Sequence, residues 1–177
     1  MFDKNPPLIA RCVDAADVIA AVHHGRDQGL LVAIRGGGHN GPGLGSCNDG
    51  LMIDLSQPRS VRVDPVRRLV RVDPGCTSGD VDHATHAFGL AVPFGIVAST
   101  GVAGLTLGGG SGYLTRASGL SIHNLVEADM VLADGTFVTT SADQHPDLFW
   151  AIRGGGGNFG VVTSGVFRAQ PVSNVFA

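Results

Sequence analysis

Four blocks of glycine constrain this chain more than any other feature: Gly36-Gly37-Gly38 with Gly41, the stretch from Gly95 through Gly101 to Gly104, Gly108-Gly109-Gly110 with Gly112, and Gly154-Gly155-Gly156-Gly157 with Gly160. Glycine loses more conformational freedom on folding than any other residue, so such runs persist only where bare backbone is needed. The 27 glycines in 177 residues are about twice the usual share. They are clustered, which marks special backbone sites and argues against a flexible linker. Hydrophobic residues make up 44% and charged ones 15%, so a globular chain with a substantial core is expected, as one large or two small domains.

The first block follows an apolar run, Leu30 to Ile34, and is bracketed by Arg35 and by His39-Asn40-Gly41. Successive N–H groups beside an arginine fork suit an anionic phosphate. His39 ends this cradle, where its ring could reach whatever the phosphates carry. A glycine-rich surface loop with an incidental histidine would read the same from this segment alone. Four places of close backbone approach, with short hydroxyls at Ser99, Thr100 and Ser111, fit one extended ligand with several parts, such as a dinucleotide. Gly36, Gly38 and Gly41 match GxGxxG, as do Gly155, Gly157 and Gly160. Neither match opens a helix, because Pro42 follows the first and a β-branched strand the second. A nicotinamide-type Rossmann fold is therefore disfavoured.

Twelve basic against fifteen acidic side chains give a net charge of -3. No basic run interleaved with aromatics points to nucleic acid. Cys12, Cys47 and Cys76 are odd in number and lack CxxC spacing, so neither a disulfide framework nor a zinc site is indicated. The start has no apolar signal core and no 18-residue apolar span occurs, so a soluble, cytoplasmic protein without a membrane partner is the expectation.

Along the chain, Leu8 to Ala10 reads as a strand. Asp14 caps a helix that Gly29 ends, and Leu30 to Ile34 returns as a strand, together a right-handed βαβ unit. Leu51 to Leu55 is a further strand. Ser60 to Asp64 and Leu69 to Asp73 alternate as a hairpin across Pro65. Thr77 with Asp80 opens a helix running to Phe88, which Gly89 stops. Val126 to Ala133, Asp134-Gly135 and Thr136 to Thr140 give a second hairpin. Pro146 opens a helix through Ile152, and Val161 to Phe167 is the last strand. The fold class expected is α+β, with a βαβ half over 1–56 and a larger half with antiparallel strands over 57–171. His23, His24, His83 and His86 are expected in solvated or capping roles. Trp150 is expected in the core, and Glu127, Asp129 and Asp134 as solvated or turn residues.

Three motifs in order, Arg35 to Asn40, Pro93 to Gly112, and Asp147-Leu148-Phe149-Trp150-Ala151-Ile152-Arg153 with Gly154 to Thr163, resemble the FAD-linked oxidases. These are flavoproteins of the berberine-bridge-enzyme-like and 6-hydroxynicotine-oxidase-like kind, with an FAD-binding domain of the PCMH type. The resemblance covers nearly the whole chain. It implies that Arg35, Gly36, Gly37, Gly38, His39, Asn40 and Gly41 hold the pyrophosphate of FAD. His39 matches the residue bonded to the flavin 8α-methyl carbon, a bond that fixes the ring and withdraws electron density from it. Ser99, Thr100, Gly101, Gly104, Gly109 and Gly112 would line the flavin and its phosphates. Asn124, Gly160, Val161 and Val162 would complete the pocket.

The implied activity is oxidation of a small-molecule C–H beside a hydroxyl or amine, with hydride passing to flavin N5. Oxygen or another acceptor then takes the electrons. Thr100 stands where relatives carry valine or isoleucine, a position that bears on oxygen access. In Pro93-Phe94-Gly95-Ile96-Val97, Val97 stands where many members place a second, cysteinyl link, so a single link is expected. Family members continue into a substrate domain that supplies the base. Residues 172–177 are expected to enter the linker toward it, and the catalytic residues remain unassigned. Two other readings are a flavin-binding module without turnover and a nucleotide-phosphate-binding protein without flavin.

Overall fold

A computed structural model describes residues 3–173. Strand β1 (Leu8–Arg11), helix α1 (Ala15–Asp27) and strands β2 (Leu31–Arg35) and β3 (Gly50–Asp54) build an all-parallel sheet in the order β1-β3-β2. The expected β1–α1–β2 unit is present, but its strands are not neighbours. β3 lies between them, with Leu51 opposite both Leu8 and Val32. The residues between β2 and β3 contain the first glycine block and no helix.

The boundaries of α1 follow from local chemistry. Asp14 Oδ1 accepts hydrogen bonds from the N–H groups of Ala16 and Asp17 at 2.9 and 3.1 Å. Asp17 returns the favour by accepting from Val13 N–H at 2.9 Å. At the far end Gly29 takes φ +61. Leu30 N–H then donates to the Gly25 carbonyl at 2.8 Å and Gly29 N–H to that of Arg26 at 3.1 Å, which satisfies the last carbonyls in a Schellman motif.

The rest of the chain centres on an antiparallel sheet. It contains β4 (Val61–Asp64), β5 (Leu69–Val72), α2 (Ser78–His86), β6 (Leu90–Ala91), α3 (Val102–Leu107), α4 (Thr115–Ser118), α5 (Ser121–Asn124), β7 (Leu125–Val131), β8 (Phe137–Ser141), α6 (Pro146–Gly155), a 3₁₀ turn (Gly156–Phe159), β9 (Val161–Arg168) and β10 (Gln170–Pro171). The sheet order is β4-β5-β9-β7-β8, and β6 pairs with β10 apart from it. Thr77 and Asp80 form the expected capping box of α2, which ends two residues before Phe88. The fold is α+β, as expected. Of the expected linker at 172–177, residues 174–177 lie outside the described ones.

Two apolar clusters fill the interior. One gathers Val70, Val81, Val102, Met130, Ile152 and Phe167 beneath the larger sheet. The other gathers Val18, Val22, Leu51 and Ile53 with Val131 and Val161 from β7 and β9, so α1 packs against both sheets. The tip of the β7–β8 hairpin is tied to α1 as well. His23 Nε2 lies 3.1 Å from the Asp134 carbonyl, and Arg26 donates to the same oxygen at 2.9 Å. His23 is therefore a tie between elements, where a solvated or capping role was expected.

Two more expectations are corrected. Trp150 is 79% exposed, because the buried face of α6 carries Phe149 and Ile152, and the residue between them points outward. Asp129 is no solvated turn residue. It faces Arg71 across β9 at 2.7 Å, and accepts from Ser164 Oγ at 2.8 Å and Thr139 Oγ1 at 2.7 Å. Arg71 also donates to Glu127 at 2.7 Å.

Burial pulls the Asp129 carboxyl up, but the hydrogen bonds from Thr139, Ser164 and Arg71, with the Arg71 charge, outweigh it and hold it below the usual range. A carboxylate with a lowered folded pKa stabilises the protein fully above its unfolded value, and that contribution is lost as pH falls through the folded value. Melting temperature should therefore drop on acidification below about pH 4. Asp129→Ala should cost about 2 kcal/mol at neutral pH and flatten that acid dependence, measured by thermal melts across pH.

Candidate cofactor-binding site

β2 delivers the glycine loop to the C-terminal edge of the parallel sheet, where the Arg35 carbonyl accepts from Leu55 N–H at 2.8 Å. Each glycine of the loop then meets a different neighbour. A Cβ on Gly36 would stand 3.4 Å from the Pro74 carbonyl oxygen. One on Gly37 would stand 2.6 Å from Gly101 Cα, and one on Gly101 would stand 2.8 Å from Gly37 Cα, so the two backbones touch. Gly38 has φ +76, and a Cβ there would lie 3.2 Å from the Arg35 guanidinium, which folds back over the loop. His39 Nε2 lies 3.1 Å from Ser99 Oγ. Asn40 then closes the loop, since its Oδ1 accepts from Leu44 N–H at 2.8 Å and its carbonyl from Gly43 N–H at 3.0 Å.

The opposite wall is held as firmly. Ser78 N–H donates to the Thr100 carbonyl and Gly79 N–H to that of Ala98, both at 2.9 Å, while Val102 N–H donates to Cys76 at 3.0 Å. Ser99-Thr100-Gly101 is therefore pinned from behind by the start of α2, with Gly37 in front.

Pro74 links this contact to two clefts. A narrow apolar one of about 20 Å³ runs under α3 between Val72, Val102, Thr106 and Val162. A wider one of about 280 Å³ lies between the start of α1 and the larger sheet, bordered by Val13, Leu55, Arg71, Phe137 and Thr163. Pro74 borders both clefts, and its carbonyl backs Gly36. The loop, Pro74 and the clefts thus form one strip with a basic, N–H-rich end, a narrow apolar cleft and a wider cleft whose lining also carries Asp14, Asp73 and Asp129. The N–H-rich end has the chemistry that takes a phosphate.

Two observations fit such a group. Side chains are missing where the two backbones meet, and Thr106 Oγ1 is buried without a hydrogen-bond partner at the border of the narrow cleft. An unpaired buried hydroxyl costs about 1–3 kcal/mol. Thr106→Val should accordingly raise the melting temperature of the cofactor-free protein, by up to about 1 kcal/mol in stability, and weaken FAD binding.

The residues expected at the site divide into groups. Arg35, Gly36, Gly37, Gly38, His39, Ser99, Thr100 and Gly101 converge. Val162 borders the narrow cleft, and Gly41 and Gly104 have open space where a Cβ would go. The others make contacts within the protein. Asn124 is buried and donates to the carbonyls of Ser118 and Leu120 at 2.9 and 3.0 Å. The Gly109 carbonyl accepts from Ile122 N–H at 3.0 Å. Gly112 abuts the Phe94 carbonyl, Gly160 takes φ +142 against Val131, and Val161 lies in the core. The sequence reading missed Pro74, Cys76 to Gly79 and Thr106. Its one available signal was Pro74-Gly75 directly after an alternating strand, where a Cβ on Gly75 would stand 2.6 Å from the Pro58 oxygen.

Comparison with known proteins identifies the family. The FAD binding domain family matches residues 6–141. An FAD-linked oxidoreductase of Bacillus subtilis, YgaK, is 40% identical over 98% of this chain and 40% of its own length. The crystal structure of 6-hydroxy-D-nicotine oxidase from Arthrobacter nicotinovorans superposes with a TM-score of 0.93 at 39% identity, over 95% of this chain and 37% of that one. Glucooligosaccharide oxidase from Acremonium strictum, which carries a 6-S-cysteinyl, 8α-N1-histidyl FAD, superposes with a TM-score of 0.89 at 34% identity, over 94% and 36%. The chain thus spans about two fifths of the length of these relatives. It belongs to the FAD-linked oxidases and carries their FAD-binding domain of the PCMH type.

Proposed function

We propose that this chain is the flavin half of an oxidoreductase, holding FAD across the strip described above with His39 covalently attached to it. The observation that carries the reading is the meeting of two bare backbones, Gly37 on Gly101, with His39 against Ser99 at their edge. The N–H groups of the first glycine block and the Arg35 guanidinium would hold the pyrophosphate. Thr100 and Gly101 would form the facing wall. Val162 and Thr106 would border an apolar part, where the Thr106 hydroxyl gains a partner. When bound, FAD would supply the redox chemistry, taking hydride at N5 from a small-molecule C–H next to a hydroxyl or amine and passing the electrons to oxygen or another acceptor. His39 would anchor the ring. All three cysteines are buried, and Val97 stands at the position of a second link, so attachment would be through one residue.

A second reading, that these 177 residues bind flavin without turning over a substrate alone, is favoured by their matching only about two fifths of the relatives' length. One experiment separates the readings. The purified protein's absorption spectrum is taken before and after acid precipitation, and the bound flavin is then challenged with a panel of small alcohols and amines. Colour that stays in the pellet and is bleached by a substrate supports the oxidoreductase. Colour that no substrate bleaches supports the module. A folded protein that is colourless and refuses added FAD overturns both.

A further inference from the structure

The His39 ring has two nitrogens, and only one of them is engaged. Nε2 lies 3.1 Å from Ser99 Oγ, whereas Nδ1 has no hydrogen-bond partner among the described residues. A neutral imidazole is nucleophilic through the nitrogen without hydrogen, and the bond made by the other nitrogen decides which one that is. We propose that Ser99 is the positioning residue for flavin attachment: its Oγ takes the Nε2–H of the His39 tautomer whose Nδ1 lone pair is free, and so orients the ring for attack through Nδ1. This rests on the covalent reading given above. The free nitrogen is the N1 of flavin nomenclature, the position at which the Acremonium strictum enzyme carries its histidyl link.

Ser99 is well placed for this because its backbone has little slack. The carbonyls on either side of it, those of Ala98 and Thr100, are bound by Gly79 and Ser78 N–H, and Gly37 presses on Gly101 two residues on. The hydroxyl thus meets a histidine that is itself fixed by the turn at Asn40. Attachment forms the Nδ1–C8α bond and breaks one methyl C–H bond. Two protons leave, one from that carbon and one from Nε2. The matching two electrons reduce the flavin, and dioxygen or another two-electron acceptor then takes them.

The test follows attachment directly and needs no substrate. Cofactor-free wild type, Ser99→Ala and Ser99→Thr are mixed with FAD in air, and flavin in acid-precipitated protein is measured against time. At FAD concentrations that saturate each variant, Ser99→Ala should attach it about tenfold more slowly than wild type, the weight of one hydrogen bond. Ser99→Thr, which keeps the hydroxyl, should attach at the wild-type rate. ¹⁵N NMR of the cofactor-free wild type should place the His39 hydrogen on Nε2. Equal rates for wild type and Ser99→Ala, or a hydrogen on Nδ1, would overturn the proposal. Should Ser99→Ala fail to fold, the NMR result decides. Wild type that binds FAD and never attaches it removes the covalent reading itself, whereas attachment unaffected by Ser99→Ala removes only the role of Ser99.

Discussion

Gly37→Ala is expected to give a protein that melts roughly 5–10 °C below wild type and binds FAD far more weakly. The added methyl would stand 2.6 Å from Gly101 Cα, and both partners are backbone, so no rotamer can relieve the clash. Overpacking of this kind costs about 3 kcal/mol, and the two chain segments must part to accept it. Parting them would withdraw the N–H groups proposed to hold the phosphates, so FAD affinity should fall about 100-fold even where the protein folds. Gly41→Ala is the matched control. Its Cβ would meet nothing within 4 Å, and stability should stay within about 0.5 kcal/mol of wild type. Melting curves and flavin titrations of the pair decide the matter. Equal melting temperatures for the two variants would mean that the contact between the two glycine blocks does not organise the site.

His39→Ala has the other large expected effect, and it is qualitative. Flavin colour should move entirely from the acid pellet to the supernatant, because no other residue at the site is placed to attach it. Stability should change little, since the substitution gives up a single exposed hydrogen bond, to Ser99 Oγ, worth about 1 kcal/mol. Any flavin retained should become a weaker oxidant, because the proposed electron-withdrawing bond would be gone. Acid precipitation with a spectrum of both fractions reads the first effect, and a redox titration reads the second. Colour left in the His39→Ala pellet would place the attachment elsewhere.

The regular elements were legible in the sequence where local chemistry dictates them. Asp14 and Gly29 bracket α1 with satisfied termini, Thr77 and Asp80 box the start of α2, and Asp134-Gly135 turns the β7–β8 hairpin with Gly135 at φ +87. What escaped depends on tertiary contact. α3 carries Gly104 and a β-branched residue at each buried position, Val102 and Thr106, so propensity hides a helix that burial enforces. The two-residue strands β6 and β10 have no pattern of their own and exist through each other. β3 entered between β1 and β2 because sheet order is set by long-range pairing.

At the site, the glycine blocks announced close approach but not to what. Gly37 and Gly101 meet each other, whereas Gly112 meets Phe94 and Gly160 meets Val131, and the letter is the same in each case. Trp150 misled because two buried neighbours in sequence, Phe149 and Ile152, share a helical face that it does not. Asp129 misled because its partner Arg71 lies 58 residues away.

The sharing of one apolar cluster by the two sheets has a consequence for how the protein comes apart. Val131 and Val161 belong to the larger sheet by hydrogen bonding and to the smaller one by packing, beside Val18 and Ile53. Neither sheet can lose its order without exposing apolar surface of the other, so denaturation should be a single cooperative event. The cradle therefore stands on two sheets that share one apolar core, and not on two lobes joined by a hinge.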